Sequence, residues 1–140
     1  MNTVTPNAKN LLVDQVKDVL AVMSTGDLAK LNELFAEDII YQLTGQHIFS
    51  GEYRGRDRIL ELLHGIYSSF RDGIKYTVSR CIAVDNTVVA TFQGTGTTVN
   101  GGEYRNDYCS IWDFNDDQKV ARITEYFDSD HVVNVLAQGS

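Results

Sequence analysis

Two side chains of opposite charge lie close together in the segment YRNDYC, residues 104–109. If this segment is a β-strand, its side chains alternate between two faces, so Arg105 and Asp107 point the same way. The turn that follows predicts a hairpin in which Glu125 lies opposite Cys109, on that same face. Two carboxyl groups near a guanidinium can have their pKa values driven apart, so that one acts as an acid and the other as a base. We therefore predict a general acid–base site at Arg105, Asp107 and Glu125.

The same residues also fit a purely structural role. An arginine–carboxylate bridge can close one end of a sheet without any chemistry, and a shift of one residue in the pairing would move Glu125 to the other face. The preceding strand places Gly94 or Gly96 beside Asp107, which indicates either a bend in the sheet or room for a ligand.

The predicted site depends on a sheet, which the hydrophobic pattern indicates. From residue 74 onward the period is two, and turn residues divide the chain into strands at about 74–84, 88–99, 103–114 and 120–127. Three segments with helical spacing precede them, interrupted by a short strand at 39–44, and residues 129–136 predict a final helix. We expect a single α+β domain over residues 1–140, with helices on one face of a curved sheet and a cavity between the two layers.

The opposite face of the strand at 103–114 carries four aromatic residues. If helices leave this face uncovered, it exposes a large apolar patch, and such patches usually mark an interface. We therefore expect a homodimer through this convex face, formed by Tyr104, Tyr108, Trp112 and Phe114. The alternative is that the aromatic face packs on the helices of its own chain, which would turn Arg105 and Asp107 to solvent.

Composition excludes several classes of function. The net charge of −7 argues against a nucleic-acid surface and against an anionic membrane surface. The chain contains no apolar run of the length that spans a bilayer, and its first residues lack the pattern of a secretory signal, so we expect a cytoplasmic protein. Cys81 and Cys109 are too few and too far apart for a disulfide framework or a zinc site. We expect no metal and no cofactor.

The three histidines leave several possibilities open. His47 lies in an irregular segment at 45–56 that could form the mouth of a pocket, His64 lies beside the apolar stripe of a helix, and His131 begins the tail. Each can titrate near neutral pH, but histidines in such places are more often surface residues.

Three longer stretches carry a family resemblance: STGDLAKLNELFAED, YRGRDRILELL and YRNDYCSIWDFNDDQKVARITEYFD. They resemble the SnoaL-like branch of the nuclear transport factor 2-like superfamily, and the resemblance covers about residues 8–137. That superfamily includes polyketide cyclases, ketosteroid isomerase, limonene-1,2-epoxide hydrolase, phenazine-biosynthesis proteins and members that only bind ligands. The resemblance implies a cone-shaped α+β barrel with three N-terminal helices on one strongly curved, mostly antiparallel sheet, a deep pocket and commonly a dimer.

The resemblance also implies site residues, taken position by position. Limonene-1,2-epoxide hydrolase has an Arg-x-Asp pair that matches Arg105 and Asp107, and an aspartate where this chain has Glu125. Its tyrosine matches Tyr41, whereas its asparagine position holds Leu43, a departure from that enzyme. The phenazine proteins similarly place a glutamate as a general acid on the last strand.

Two other members of the superfamily match less well. The general base, the helix tyrosine and the second aspartate of ketosteroid isomerase fall at Leu43, Val19 and near Ser110, so steroid isomerisation by that mechanism is not predicted. Polyketide cyclases use a late aspartate, for which Asp128 or Glu125 could serve.

We predict a cofactor-independent enzyme that acts on a small apolar molecule. Asp107 is expected to be the base, Arg105 to orient it or to bind an oxyanion, Glu125 to be the acid, and Tyr41 to donate a hydrogen bond. The alternative is a non-catalytic dimer of the same fold that only binds a small ligand.

Overall fold

The computed structural model describes the backbone of residues 6–138 and the side chains of residues 10–136. Its elements are α1 (Pro6–Thr25), a 3-10 turn (Leu28–Lys30), α2 (Leu31–Leu34), β1 (Phe35–Leu43), β2 (Gly51–Arg54), α3 (Arg56–Ser68), β3 (Lys75–Val84), β4 (Thr87–Thr97), β5 (Glu103–Phe114), β6 (Val120–Phe127) and α4 (Ser129–Gln138). The four predicted long strands are confirmed to within a few residues. The sequence did not predict β2, a four-residue edge strand inside the irregular segment. The predicted second helix is shorter than expected, because Phe35 already belongs to β1.

One six-stranded sheet organises the chain, in the order β2-β1-β6-β5-β4-β3. The pairing of β1 with β6 is parallel and the other pairings are antiparallel. Helix α1 contacts β3 and β4, α3 contacts β1 and β2, and α4 contacts β5. We call the face of the sheet that packs against these helices the inner face, and the opposite side the outer face. The predicted α+β fold, with helices on a mostly antiparallel sheet, is confirmed; the sheet itself stays open, with β2 and β3 at its edges.

Strand β5 turns its aromatic side chains inward and its charged side chains outward. Its buried residues are Tyr104, Asn106, Tyr108, Ser110, Trp112 and Phe114, whereas Arg105 and Asp107 are exposed. The prediction that Arg105 and Asp107 share the cavity face is therefore wrong. The physical reason is that burying two charged groups costs far more free energy than burying aromatic rings.

The same orientation corrects the predicted interface. Tyr104, Tyr108, Trp112 and Phe114 are each at most 7% exposed and belong to the hydrophobic core of their own chain. They are not a surface on which a second copy can dock. Homodimer formation itself stays a prediction, without an assigned surface.

A β-bulge decides where Glu125 lies. Next to the turn, Phe114 pairs with Val120, as the predicted hairpin requires. The pairing then shifts by one residue, so that Asp113 lies opposite Arg122 and Ser110 lies opposite Glu125. Such a bulge reverses the facing of every later residue in the strand. Glu125 therefore points inward, away from the face that carries Asp107, and the predicted partner Cys109 pairs with Tyr126 instead.

The two strand glycines make room for aromatic rings. Gly94 lies opposite Asn106 and Gly96 opposite Tyr104, so neither lies opposite Asp107 as the predicted pairing required. A Cβ atom at Gly94 would lie 2.9 Å from ring carbon Cε2 of Tyr108, closer than van der Waals contact permits. Glycine at this position therefore leaves the space that the ring of Tyr108 occupies on the inner face.

Candidate functional site

A cavity of about 70 Å³ lies between the helices and the inner face of the sheet. Most of its wall is aliphatic or aromatic, with contributions from α1, α3, α4 and the loop before β2. Its polar lining side chains are Tyr41, Tyr76, Tyr104, Tyr108 and Glu125. Among the described side chains, those of residues 10–136, Glu125 is the one carboxyl group in the lining, and no Lys, Arg or His lines the cavity. Concave, mainly apolar sites with a few convergent polar groups are typical of small-molecule binding.

Neighbouring strands hold the Glu125 carboxyl in place. The parallel pairing of β1 with β6 brings Leu43 opposite Glu125, and Tyr41 is two residues earlier on the same face. The Tyr41 hydroxyl donates a hydrogen bond of 2.5 Å to Oε2 of Glu125, and the Ser110 hydroxyl donates one of 3.4 Å to the same oxygen. Oε1 accepts no hydrogen bond from the described residues, which leaves this oxygen for a ligand.

Burial alters the acidity of Glu125. The side chain is 8% exposed, and removal from water raises its pKa from 4.5 to about 7, even though the hydrogen bonds from Tyr41 and Ser110 act in the opposite direction. Near neutral pH both the protonated and the ionised form are therefore populated. A group with this pKa can donate or accept a proton at neutral pH, which is the requirement for a general acid or base.

The tyrosines of the cavity stay protonated. Burial, and next to it the charge of Glu125, raises the pKa of Tyr41 well above its usual value. Burial raises the pKa of Tyr104 to about 12, and its hydroxyl is hydrogen-bonded to that of Tyr108. The ring of Tyr108 stacks on Phe92 with a centroid distance of 5.0 Å. These phenols are therefore neutral hydrogen-bonding groups on a rigid aromatic wall.

The structure brings together only half of the predicted site residues. Tyr41 and Glu125 are hydrogen-bonded partners inside the cavity. Arg105 and Asp107 lie on the outer face, where Asp107 accepts a hydrogen bond of 3.3 Å from Gln93. The charged trio is therefore not assembled, and the carry-over of the Arg-x-Asp pair from the family was wrong for this cavity.

Sequence reasoning missed three tyrosines of the cavity wall. The predicted interface includes Tyr104 and Tyr108, and the sequence predicts no role for Tyr76. The signal that could have found the first two is the binary pattern of β5, because the face with more aromatic residues should be buried.

The three histidines and Asp128 do not line the cavity. The His47 ring packs against Phe127 at a centroid distance of 5.6 Å, and Phe127 does line it. The His131 ring stacks on Tyr104 at 5.4 Å. These two histidines therefore support side chains of the wall without facing the ligand space.

No group of three or more His, Cys, Asp or Glu side chains within residues 6–138 is arranged to hold a metal ion. In the same part of the chain, no helix is both long enough and apolar enough to cross a membrane.

Curated relatives match part of the chain. An uncharacterized protein of Mycobacterium tuberculosis is 27% identical over 82 residues, which is 58% of this chain. The match spans 63% of the length of that relative.

Solved structures match nearly the whole chain. A nuclear transport factor 2-like protein from Burkholderia xenovorans has a TM-score of 0.73 at 23% identity and covers 91% of this chain and 97% of its own. A protein named as a SnoaL-like polyketide cyclase from Jannaschia has a TM-score of 0.80 at 11% identity, with 98% of each chain covered. A structure named as an epoxide hydrolase of the limonene-epoxide-hydrolase-like type from M. tuberculosis has a TM-score of 0.73 at 15% identity, covering 94% of this chain and 92% of its own. The TM-scores establish a shared fold, and at such low sequence identities the fold leaves the reaction open.

The sequence itself matches a family model, that of the SnoaL-like domain, over residues 16–123. This match spans most of the chain, from within α1 through β5 and into the first residues of β6, and it ends two residues before Glu125. The chain therefore belongs to the SnoaL-like domain family, within the nuclear transport factor 2-like fold.

Proposed function

We propose that the protein is a cofactor-independent enzyme in which Glu125 moves protons to and from a small, largely apolar molecule in the cavity. The observation that carries this proposal is a buried carboxyl group with a pKa of about 7 in an otherwise apolar cavity. Desolvated carboxyl groups tuned toward neutral pH are typical of general acids and bases.

The hydrogen bonds on Glu125 suggest how the proton is placed. Oε2 accepts hydrogen bonds from Tyr41 and Ser110, so the proton of the neutral form is carried by Oε1. As an acid, Oε1–H protonates an oxygen of the substrate, and the Tyr41 hydrogen bond stabilises the carboxylate that remains. As a base, the ionised form removes a proton from a carbon or from water. Epoxide opening, isomerisation and cyclisation each need one of these steps.

The roles expected for Arg105 and Asp107 are not part of this proposal, because both side chains lie on the outer face. Glu125 is then the one ionisable carboxyl group that lines the described cavity. A mechanism on this site uses the same group as acid and as base in successive steps.

A second candidate function is binding without turnover. The observation that favours it is the lack of a second charged group beside Glu125 among the described lining residues. In that case Glu125 would orient a ligand by a hydrogen bond.

Turnover of simple probes separates the two functions. We expect the protein to accelerate the opening of cyclohexene oxide or the exchange of the acidic protons of 2-cyclohexen-1-one in D2O, both followed by NMR. Glu125→Gln should lower the accelerated rate by about 100-fold or more, because proton transfer by a placed side chain contributes at least that factor.

Asp107→Asn is the matched control, since it makes the same acid-to-amide change on the outer face and should leave the rate unchanged. An equal rate in wild type and Glu125→Gln would contradict the proposal. Binding of both probes with no acceleration would support the binding-only function instead.

A further inference from the structure

Tyr76 occupies a fixed place in the cavity wall. Its backbone N–H donates a hydrogen bond of 3.0 Å to the Ser24 hydroxyl at the end of α1. Its ring meets Phe92 and Tyr108 edge to face, at centroid distances of 5.6 and 5.9 Å. A Cβ atom at Gly94 would lie 3.2 Å from Cε1 of Tyr76, so the glycine gives the ring the space it occupies. Backbone and ring are therefore both held before any ligand arrives.

The hydroxyl of Tyr76 differs from those of the other cavity tyrosines. The Tyr41 hydroxyl is hydrogen-bonded to the Glu125 carboxyl, and the Tyr104 hydroxyl is hydrogen-bonded to that of Tyr108. The Tyr76 hydroxyl has no hydrogen-bond partner among the side chains that the structure describes, those of residues 10–136, or among the backbone groups of residues 6–138. In this mainly apolar surrounding, a ligand with an acceptor oxygen would supply the partner that the hydroxyl lacks.

The surroundings of Tyr76 make its hydroxyl a donor. Burial raises the pKa of Tyr76 well above its usual value, and the charge of the Glu125 carboxylate raises it further. The phenol is therefore neutral at every physiological pH, with a proton to offer. Tyr76 and Glu125 line one cavity, so a small molecule can contact both groups.

The cavity is unfavourable to anions. When Glu125 is ionised, its charge repels a carboxylate or phosphate, and no cationic side chain lines the described cavity to offset that repulsion. A neutral molecule with an acceptor oxygen meets a donor at Tyr76 and, below about pH 7, a second donor at Glu125.

We propose that Tyr76 is a ligand-binding residue that selects neutral molecules carrying a carbonyl or ether oxygen. This inference rests on the cavity being the binding site of the proposed function, but it does not require turnover. It deepens that function by naming the substrate class and the group that recognises it.

Four probes built on one six-membered ring test the inference. They are cyclohexanone, its isostere methylenecyclohexane, cyclohexanecarboxylate and protonated cyclohexylamine, titrated at pH 6 into 15N-labelled protein and followed by NMR. Wild type should bind cyclohexanone tighter than the other three. Tyr76→Phe keeps the ring and removes only the hydroxyl, so it should weaken cyclohexanone binding by about fivefold, the value of one neutral hydrogen bond, without weakening methylenecyclohexane.

Tyr126→Phe is the matched control, because Tyr126 is 49% exposed and lies on the outer face. It should leave all four affinities unchanged. Equal cyclohexanone affinity in wild type and Tyr76→Phe would overturn the inference. So would tighter binding of the carboxylate or the amine than of the ketone, or no binding of the ketone at all. An unchanged rate in Glu125→Gln would contradict the proposed catalysis and leave this binding result intact, so the two proposals fail separately.

Discussion

The two faces of β5 carry polar groups that lead to different chemistry. On the outer face, Arg105 and Asp107 are exposed and surrounded by water. On the inner face, Tyr104 and Tyr108 line the cavity, and Ser110 donates a hydrogen bond to Glu125 of β6. The carboxyl of Glu125 is removed from water, and this burial raises its pKa to about 7.

The comparison shows that burial, more than the number of charges, creates a reactive group here. Arg105 and Asp107 are the more conspicuous pair of charges in the sequence. A pair of charges exposed to water contributes little to the stability of the folded protein. Glu125 is a single carboxyl, and its position in the apolar cavity gives it the unusual pKa. Substitutions that act on one face should therefore differ sharply from matched substitutions on the other.

The largest expected difference concerns stability as a function of pH. The pKa of Glu125 is raised from 4.5 to about 7 by folding, so the folded state binds this proton more tightly than the unfolded state does. The resulting stabilisation is fully present below about pH 4.5 and is lost as the pH rises through 7. The shift corresponds to about 3 kcal/mol in the free energy of unfolding.

Urea unfolding at pH 5 and pH 8 measures this effect. Relative to Glu125→Gln, which cannot titrate, wild type should lose most of that 3 kcal/mol between the two pH values. Asp107→Asn on the outer face should follow the wild-type profile. Parallel profiles for wild type and Glu125→Gln would show that burial does not shift this group.

A smaller difference is expected for Asn106, which separates Arg105 from Asp107 and points inward. Its amide nitrogen donates a hydrogen bond of 3.0 Å to the Asp128 carbonyl, and its amide oxygen accepts one of 2.9 Å from the Asp128 N–H. These bonds hold the chain where it passes from β6 into α4, the helix that adds Val132 and Leu136 to the cavity wall.

Asn106→Ala removes both bonds and should lower the free energy of unfolding by about 2 kcal/mol, because it leaves backbone groups unpaired. Asp107→Ala on the outer face should change it by less than about 0.5 kcal/mol. Thermal or urea unfolding of the two variants provides the test. Equal losses would mean that the inner position of Asn106 has no special role.

Much of the fold could be predicted, because periodicity and turn residues are local. The strand boundaries followed from alternation and from the turn residues between the strands, and the helix before β3 followed from its helical spacing of apolar residues. The short strand β2 could not be found in this way. Its four residues pair with β1 at the edge of the sheet and show no clear alternation of burial.

The face of the sheet on which each side chain lies was harder to predict, because one extra residue in a strand moves every later side chain to the other face. The turn at 115–119 gave the correct pairing of Phe114 with Val120, but the bulge beyond it moved Glu125 to the other face. Nothing in the local sequence of β6 marks that extra residue. The prediction from the hairpin pairing also placed Arg105 and Asp107 inward, although burial of Tyr104 and Tyr108 costs less free energy than burial of two charges.

The central claim is that Glu125 exchanges its proton near neutral pH inside the cavity. A 13C NMR titration of the glutamate side-chain carboxyls, with the Glu125 signal assigned by its loss in Glu125→Gln, measures this directly. We predict a midpoint at about pH 7. A midpoint near the ordinary glutamate value of 4.5 would contradict the account, because the carboxyl would then be a permanent anion with no proton to give.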